Sequence, residues 1–309
     1  MNTLKTITST MILAIVFQIG LLPNGIQSTA SAQSVVIGQR VAASERVSMD
    51  QINHTSWNTL LQKYVDADGQ VNYSAWHASQ QDQQSLDAYI NHLSAASNTE
   101  PASREGQMAF WINAYNAVTI KGILREYPTD SIRKHTSKLG GYNVWHHLQL
   151  AIADTQISLD SIEHKVLRKM NDPRIHFAIV CASYSCPRLL NQAYTATQLN
   201  DQLVLNTKNF FANPGNFKYD ASRNKFQMSS IMEWFADDFG ANQQAQLATI
   251  APYLPTREAY DAALNNSPRV SYLKYDWSLN EQKQTQTQAQ TQTRHSNAGS
   301  RVRRGSGRK

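Results

Sequence analysis

Apolar residues recur at helical spacing through the first half of the chain. Trp57, Leu60, Leu61, Tyr64 and Val65 share one helix face, and Leu86, Tyr89, Ile90 and Leu93 repeat the pattern. Between them, Asp68-Gly69 signals a turn that leads into a short extended piece. Asp66 and Asp68 do not complete a calcium loop, because the glycine is misplaced and no glutamate closes it. The strongest helix runs from about Arg104 to Glu126, with Ser103 positioned as its cap and Pro128 disfavouring helix at Tyr127. Met108, Phe110, Trp111, Ile112, Tyr115, Val118, Ile120, Ile123 and Leu124 make it apolar on most sides, which predicts a helix central to the core. Asn113 and Asn116 interrupt that surface. Buried amides must find partners, so these two either tie neighbouring loops to the core or face a pocket.

The second half mixes periods. Residues 144–159 read as two extended segments around Ala153-Asp154-Thr155, a hairpin, followed by a helix carrying Ile162, Val166, Leu167 and Met170. Asp160 and Glu163 have the spacing of a helix-capping pair, which gives Glu163 a local role to weigh against a catalytic one. The apolar run from Arg174 to Ala182 predicts a buried strand. Alternation along it puts Ile175, Phe177, Ile179 and Cys181 on one face and His176, Ala178 and Val180 on the other. Thr195 and Gln198 suggest a capping box before the next helix, residues 216–229 a second hairpin, and Ser230 with Glu233 a helix closed by Gly240. Helices intermixed with antiparallel pairs predict an α+β fold: one helix-rich domain over 33–280 with a small, mainly antiparallel sheet.

The two ends differ from this body. Lys5, an apolar run from Met11 to Leu22 and the small residues Ala30-Ser31-Ala32 read as a secretory signal over 1–32, too short and too interrupted for a membrane span. Export to the periplasm or outside the cell is therefore expected, with no membrane-spanning segment after cleavage. Residues 281–309 become Gln/Thr-rich and then Arg/Gly/Ser-rich, a composition that predicts disorder. Between Glu281 and Lys309, seven cations face one carboxylate, a balance of +6 that equals the formal charge of the whole chain. With Lys5 in the signal, the body is left close to neutral. A basic tail suits anionic envelope surfaces, while the body carries no basic patch or motif for sequence-specific nucleic-acid binding.

The chain has two cysteines, Cys181 and Cys186, in the loop "CASYSCP". An oxidising compartment favours a disulfide between them, and the four intervening residues can turn. Cys186 also precedes Pro187 and lies near Arg188, a setting that favours a thiolate, with His176 as a base and Glu163 or Asp276 as orienting carboxylates. A zinc site would need His164 and His176, which are not at motif spacing, and a redox pair favours a shorter separation. Neither metal nor cofactor is expected.

Five ordered blocks carry a resemblance: "QMAFWINAYNAVTIKGILREYP", "SLDSIEHKVLR", "PRIHFAIVCASYSCPRL", "SIMEWFADDF" and "YLKYDWSLN". Over about 57–280 the chain resembles the domain-of-unknown-function 547 family. The resemblance marks Trp111, Asn113, Asn116, Glu163, His176, Cys181, Cys186, Pro187, Asp276 and Trp277, and implies a pocket formed by Trp111, Asn113, Asn116, Cys181 and Asp276 beside the catalytic candidates. A looser likeness is to papain- and transglutaminase-like folds, although the core helix has no cysteine. Two functions follow as expectations. One is an exported thiol-dependent hydrolase or acyl transferase with Cys186 as nucleophile, His176 as base and Glu163 as orienter. The other is a non-catalytic envelope module with a Cys181–Cys186 disulfide that binds a small molecule or peptide.

Overall fold

Every residue from Met108 to Ile120 is buried, so the segment that the sequence makes apolar on most sides becomes the axis of the molecule. The structure, a computed structural model, describes residues 34–137 and 142–283. The signal-like segment and the chain beyond Lys283 lie outside the described residues. Helices α1 (Thr55–Tyr64), α2 (Tyr73–Ala78) and α3 (Gln80–Leu93) precede the central helix α4 (Arg104–Glu126). Ser103 caps α4 as expected, its Oγ accepting from the Gly106 N–H at 3.0 Å. The first three helices bury their aromatic faces together: Trp57 stacks on Tyr89 at 5.7 Å and Tyr64 on Trp76 at 4.6 Å between ring centroids. The Asp68-Gly69 turn also forms. Asp66 Oδ1 accepts from the Asp68 and Gln70 amides, and Gly69 takes φ 79°, packed so closely on Arg188 and Leu189 that a side chain would collide with them.

Strand β1 (Val35–Ile37) pairs parallel with β2 (Leu148–Ile152), which follows the short helix α5 (Val144–His147) and pairs antiparallel with β3 (Thr155–Ser158). The expected hairpin is thus present, with Ala153 turning at φ 49°. Helix α6 (Leu159–Ser161) continues as a π-helical stretch, Ile162–Leu167, and a 3-10 turn, Arg168–Met170. Its cap is Ser158, whose Oγ accepts from the Ser161 N–H at 3.2 Å, and not the Asp160 pair that the spacing suggested. The capping role for Glu163 is thereby corrected.

The strand expected over 174–182 does not form. Pro173–Phe177 is a 3-10 turn, begun by Pro173 and by Asp172, whose Oδ1 accepts from the Arg174 N–H at 3.1 Å. The run is apolar because it is buried. Short buried runs look alike in sequence whether extended or helical, and an X-Pro start with an acidic cap favours the helical turn. The loop from Ala178 leads to α7 (Leu199–Ala212). No Thr195–Gln198 capping box forms there: the Thr195 N–H donates instead to Gln202 Oε1 at 3.1 Å.

Strands β4 (Phe217–Asp220) and β5 (Lys225–Met228) make the second expected hairpin. Helices α8 (Ile231–Trp234), α9 (Ala236–Phe239), α10 (Gln243–Ile250) and α11 (Arg257–Asp261) follow, and β6 (Arg269–Tyr272) returns parallel to β5. The fold is α+β, with two three-stranded sheets, each holding one parallel and one antiparallel pair, where a single mainly antiparallel sheet was expected. Two apolar clusters fill it. One surrounds α4; the other gathers Phe177, Phe210, Phe211, Phe217, Phe226 and Phe239. No helix among the described residues is long and apolar enough to cross a membrane.

Candidate functional site

A cleft of about 270 Å³ opens where the two clusters meet. Ile179 and Cys186 reach it from the first cluster and Ile231 from the second. Its walls are aromatic: Tyr115 from α4, Trp145 from α5, Trp234 and Phe235 around the end of α8, and Tyr275 and Trp277 from the final loop. Polar groups break these walls at His146, Asp160, Glu163, His164 and His176. Mostly apolar walls with a few convergent polar groups are what a small-molecule site needs. Other concavities among the described residues are larger, about 410, 940 and 480 Å³, but central acids in them are spent on structure. In the first, Asp50 accepts from Ser103 and His54 bonds the Tyr89 hydroxyl; in the second, Asp66 holds its own turn.

His176 is held from two sides. Its Nε2 lies 2.7 Å from Asp238 Oδ2, and its ring stacks on Phe235 at 4.1 Å. Asp238 is held in turn by Arg168, at 2.6 Å through Nε and 2.8 Å through Nη2. Burial lowers the His176 pKa to about 4, outweighing the raising effect of the Asp238 bond. Burial works to raise the Asp238 carboxyl, but the Arg168 and His176 bonds outweigh it and leave its pKa below the ordinary value. Asp238 therefore accepts from the Nε2–H of a neutral imidazole, so the lone pair sits on Nδ1. Such a pair can hold a proton acceptor in a fixed orientation.

Glu163 belongs to a different pair. The Tyr115 hydroxyl donates to its Oε2 at 3.1 Å, and burial raises the carboxyl pKa against the lowering pull of His164 and Tyr115. Across the cleft, Cys181 and Cys186 form a disulfide, with Cα atoms 6.4 Å apart. The Tyr275 hydroxyl reaches Ser183 Oγ at 2.8 Å and Cys186 Sγ at 3.2 Å, and burial raises its pKa far above the phenolic range. The bridged loop is also stitched to the end of the body: the Tyr184 N–H donates to Ser278 O at 2.7 Å and the Ser185 N–H to Asp276 O at 3.1 Å.

Residues 99–211 match the family model described as "Protein of unknown function, DUF547". The chain carries a DUF547 domain. No curated protein and no solved structure matches the chain. The matched stretch is shorter than the 57–280 over which the ordered blocks run. It holds α4, the Glu163 segment, His176 and both cysteines, while Trp234, Tyr275 and Trp277 complete the cleft from outside it and Asp238 bonds His176.

The DUF547 domain brings Glu163, His176, Cys181, Cys186 and Pro187 onto one cleft, joined there by Trp277. His176 and Cys181 were expected to face opposite ways; they share the cleft because a 3-10 turn does not alternate its side chains as a strand does. The carboxylate bonded to His176 is Asp238, where Glu163 or Asp276 was expected. Asn113 and Asn116 do not line the cleft. Asn113 pairs both ways with the Tyr194 backbone at 2.8 and 2.9 Å, and Asn116 bonds Ala178 O at 3.0 Å and the Val180 N–H at 2.9 Å. Trp111 is buried edge-on against Phe110, and Asp276 Oδ1 accepts from the Ser278 N–H at 2.9 Å. Sequence reasoning missed Asp238, Tyr115, Asp160, Trp234 and Tyr275 as site residues. Only their presence in the quoted blocks marked Tyr115, Asp160, Trp234, Asp238 and Tyr275, and no local spacing connects them to His176.

Proposed function

We propose that the protein is an exported binding module whose aromatic cleft takes a small molecule or a peptide side chain, with the Cys181–Cys186 disulfide forming part of the wall. The observation that carries this reading is the cleft itself: six rings from distant segments surround it, and its two sulfurs are bonded to each other. A bridged cysteine is not a nucleophile, while a closed loop gives a wall of fixed shape. The signal-like N-terminus and the disulfide both suit a periplasmic or secreted location, and the basic tail suits anionic envelope surfaces. The test is a small-molecule screen against the purified, unreduced protein, read by tryptophan emission and calorimetry. Hits are expected to bind without being converted and to weaken in Trp234→Ala. A screen without hits would overturn the reading.

A second reading is favoured by the His176–Asp238 pair. If a dithiol reductant opens the disulfide, Cys186 becomes a candidate nucleophile on a cleft that His176 also lines, with Asp238 as the orienting carboxylate, and thiol-dependent hydrolysis or acyl transfer becomes available. Rapid iodoacetamide labelling of Cys186 in unreduced protein, together with thioester turnover, would favour this second reading over the first.

A further inference from the structure

We propose that the cleft selects a ligand bearing an organic ammonium group, a compact quaternary or alkylated amine held against its rings. This rests on the cleft being a ligand site, as above. Trp234, Tyr275 and Trp277 touch one another, with ring centroids 4.8, 5.7 and 4.5 Å apart. Trp234 keeps 46% of its surface exposed although it belongs to this cluster, so a continuous π surface meets solvent at the cleft. Ring faces are electronegative, and indole attracts cations best. The site already shows this property at its outer edge, where the Arg133 guanidinium lies 5.1 Å from the Trp277 ring centre without lining the cleft.

The charges point the same way. Asp160 and Glu163 line the cleft, and among the described residues no lysine or arginine does. The guanidinium of Arg168 is engaged by both oxygens of Asp238 and also reaches His164 Nδ1 at 3.2 Å, so most of its charge is answered outside the lining. Among the described residues Asp160 pairs with the imidazoles of His164 at 3.6 Å and His146 at 3.9 Å. Glu163 accepts from the neutral Tyr115 hydroxyl, and burial holds its carboxyl above the ordinary range in spite of the lowering pull of His164, Tyr115 and Arg168, so a cation in the cleft would relieve it further. A small metal ion is the other cation that acidic clefts take. Among the described residues, however, no group of three or more His, Cys, Asp or Glu side chains is arranged to hold one. A bulky, weakly hydrated cation needs no such cage: it takes its stabilisation from rings plus a nearby carboxylate.

The experiment titrates the unreduced full-length protein with choline and with its neutral isostere 3,3-dimethylbutan-1-ol, following tryptophan emission and heat. Choline is expected to bind about tenfold tighter than the isostere. Glu163→Gln should remove most of that preference, and Trp234→Ala should weaken choline several-fold; thermal melting checks that both variants fold. The comparison on the wild-type protein decides the matter even if a variant does not fold. Equal affinity for the two probes overturns charge selection and leaves the cleft reading standing. Choline binding unchanged in both variants places the ammonium site elsewhere and overturns the inference. Neutral hits in the screen with no binding of choline or tetramethylammonium overturn the inference alone, whereas failure of the cleft reading shows as a screen empty of all hits.

Discussion

His176 shows how one residue can carry a pH response for the whole fold. Its native pKa is about 4 against an ordinary 6.5, so between those values the unfolded chain binds a proton that the native state does not. Stability therefore falls as pH drops from 6.5 toward 4, by up to about 3 kcal/mol from this group. Denaturation curves at pH 7, 5.5 and 4.5 should show the loss, and His176→Gln should flatten it while being less stable at pH 7. His54, lowered to about 4 chiefly by burial, adds to the same window and keeps some slope in the variant. A wild-type profile no steeper than that of His176→Gln would contradict the assignment. The amides make a second prediction. Asn116→Ala leaves the Ala178 carbonyl and the Val180 N–H without their partner, which should cost about 2–4 kcal/mol in urea denaturation. An effect below 1 kcal/mol would mean that the clamp is dispensable.

At the scale of elements, the loop after the 3-10 turn governs the cleft. Ala182 adopts φ 58°, a left-handed conformation, and the backbone bonds to Asp276, Ser278 and Asn280 fix the loop against the final segment. The disulfide spans only five positions in sequence, so opening it should cost about 2 kcal/mol by loop entropy. Urea midpoints of Cys181→Ser/Cys186→Ser and of reduced wild type should shift together; a collapse of the fold would show that the bridge does more than close a loop. Helix α4 was legible in advance, because a capping serine, a long apolar run and X-Pro agree on one element. The strand expected at 174–182 was not, because burial supplies the apolar signal and a short run has too few positions for its period to discriminate.

For the whole molecule, closure depends on the last described residues. Asn280 ties two distant parts to the final segment: its carbonyl accepts from the Val71 N–H at 2.9 Å and its side-chain Oδ1 from the Tyr73 hydroxyl at 3.0 Å, while its N–H donates to Ala182 O at 3.1 Å. Glu281 and Gln282 continue the contact, with the Tyr127 hydroxyl donating to Glu281 Oε1 at 2.7 Å and the Gln282 N–H to Val71 O at 3.0 Å. Glu281 and Gln282, just past Asn280, thus pack on the body as well. A chain ending at Trp277 should melt far below one ending at Lys283, while loss of 284–309 should leave the midpoint unchanged; equal melting of the two shortened chains would remove the strap from the account.

Local and compositional features were readable from the chain alone: the central helix and its cap, two hairpins, the α+β class, the family and the pair of cysteines. These follow from periodicity, turn chemistry and residue type, all of which act between near neighbours. Tertiary structure decided which chemistry meets. Asp238 reaches His176 across 62 positions, the rings of Trp234 and Tyr275 join α4 and the cysteine loop, and Asn113 and Asn116 are turned to clamp loops away from the cleft. No local pattern encodes such meetings, because they depend on how two apolar clusters pack and on the cleft left where they join.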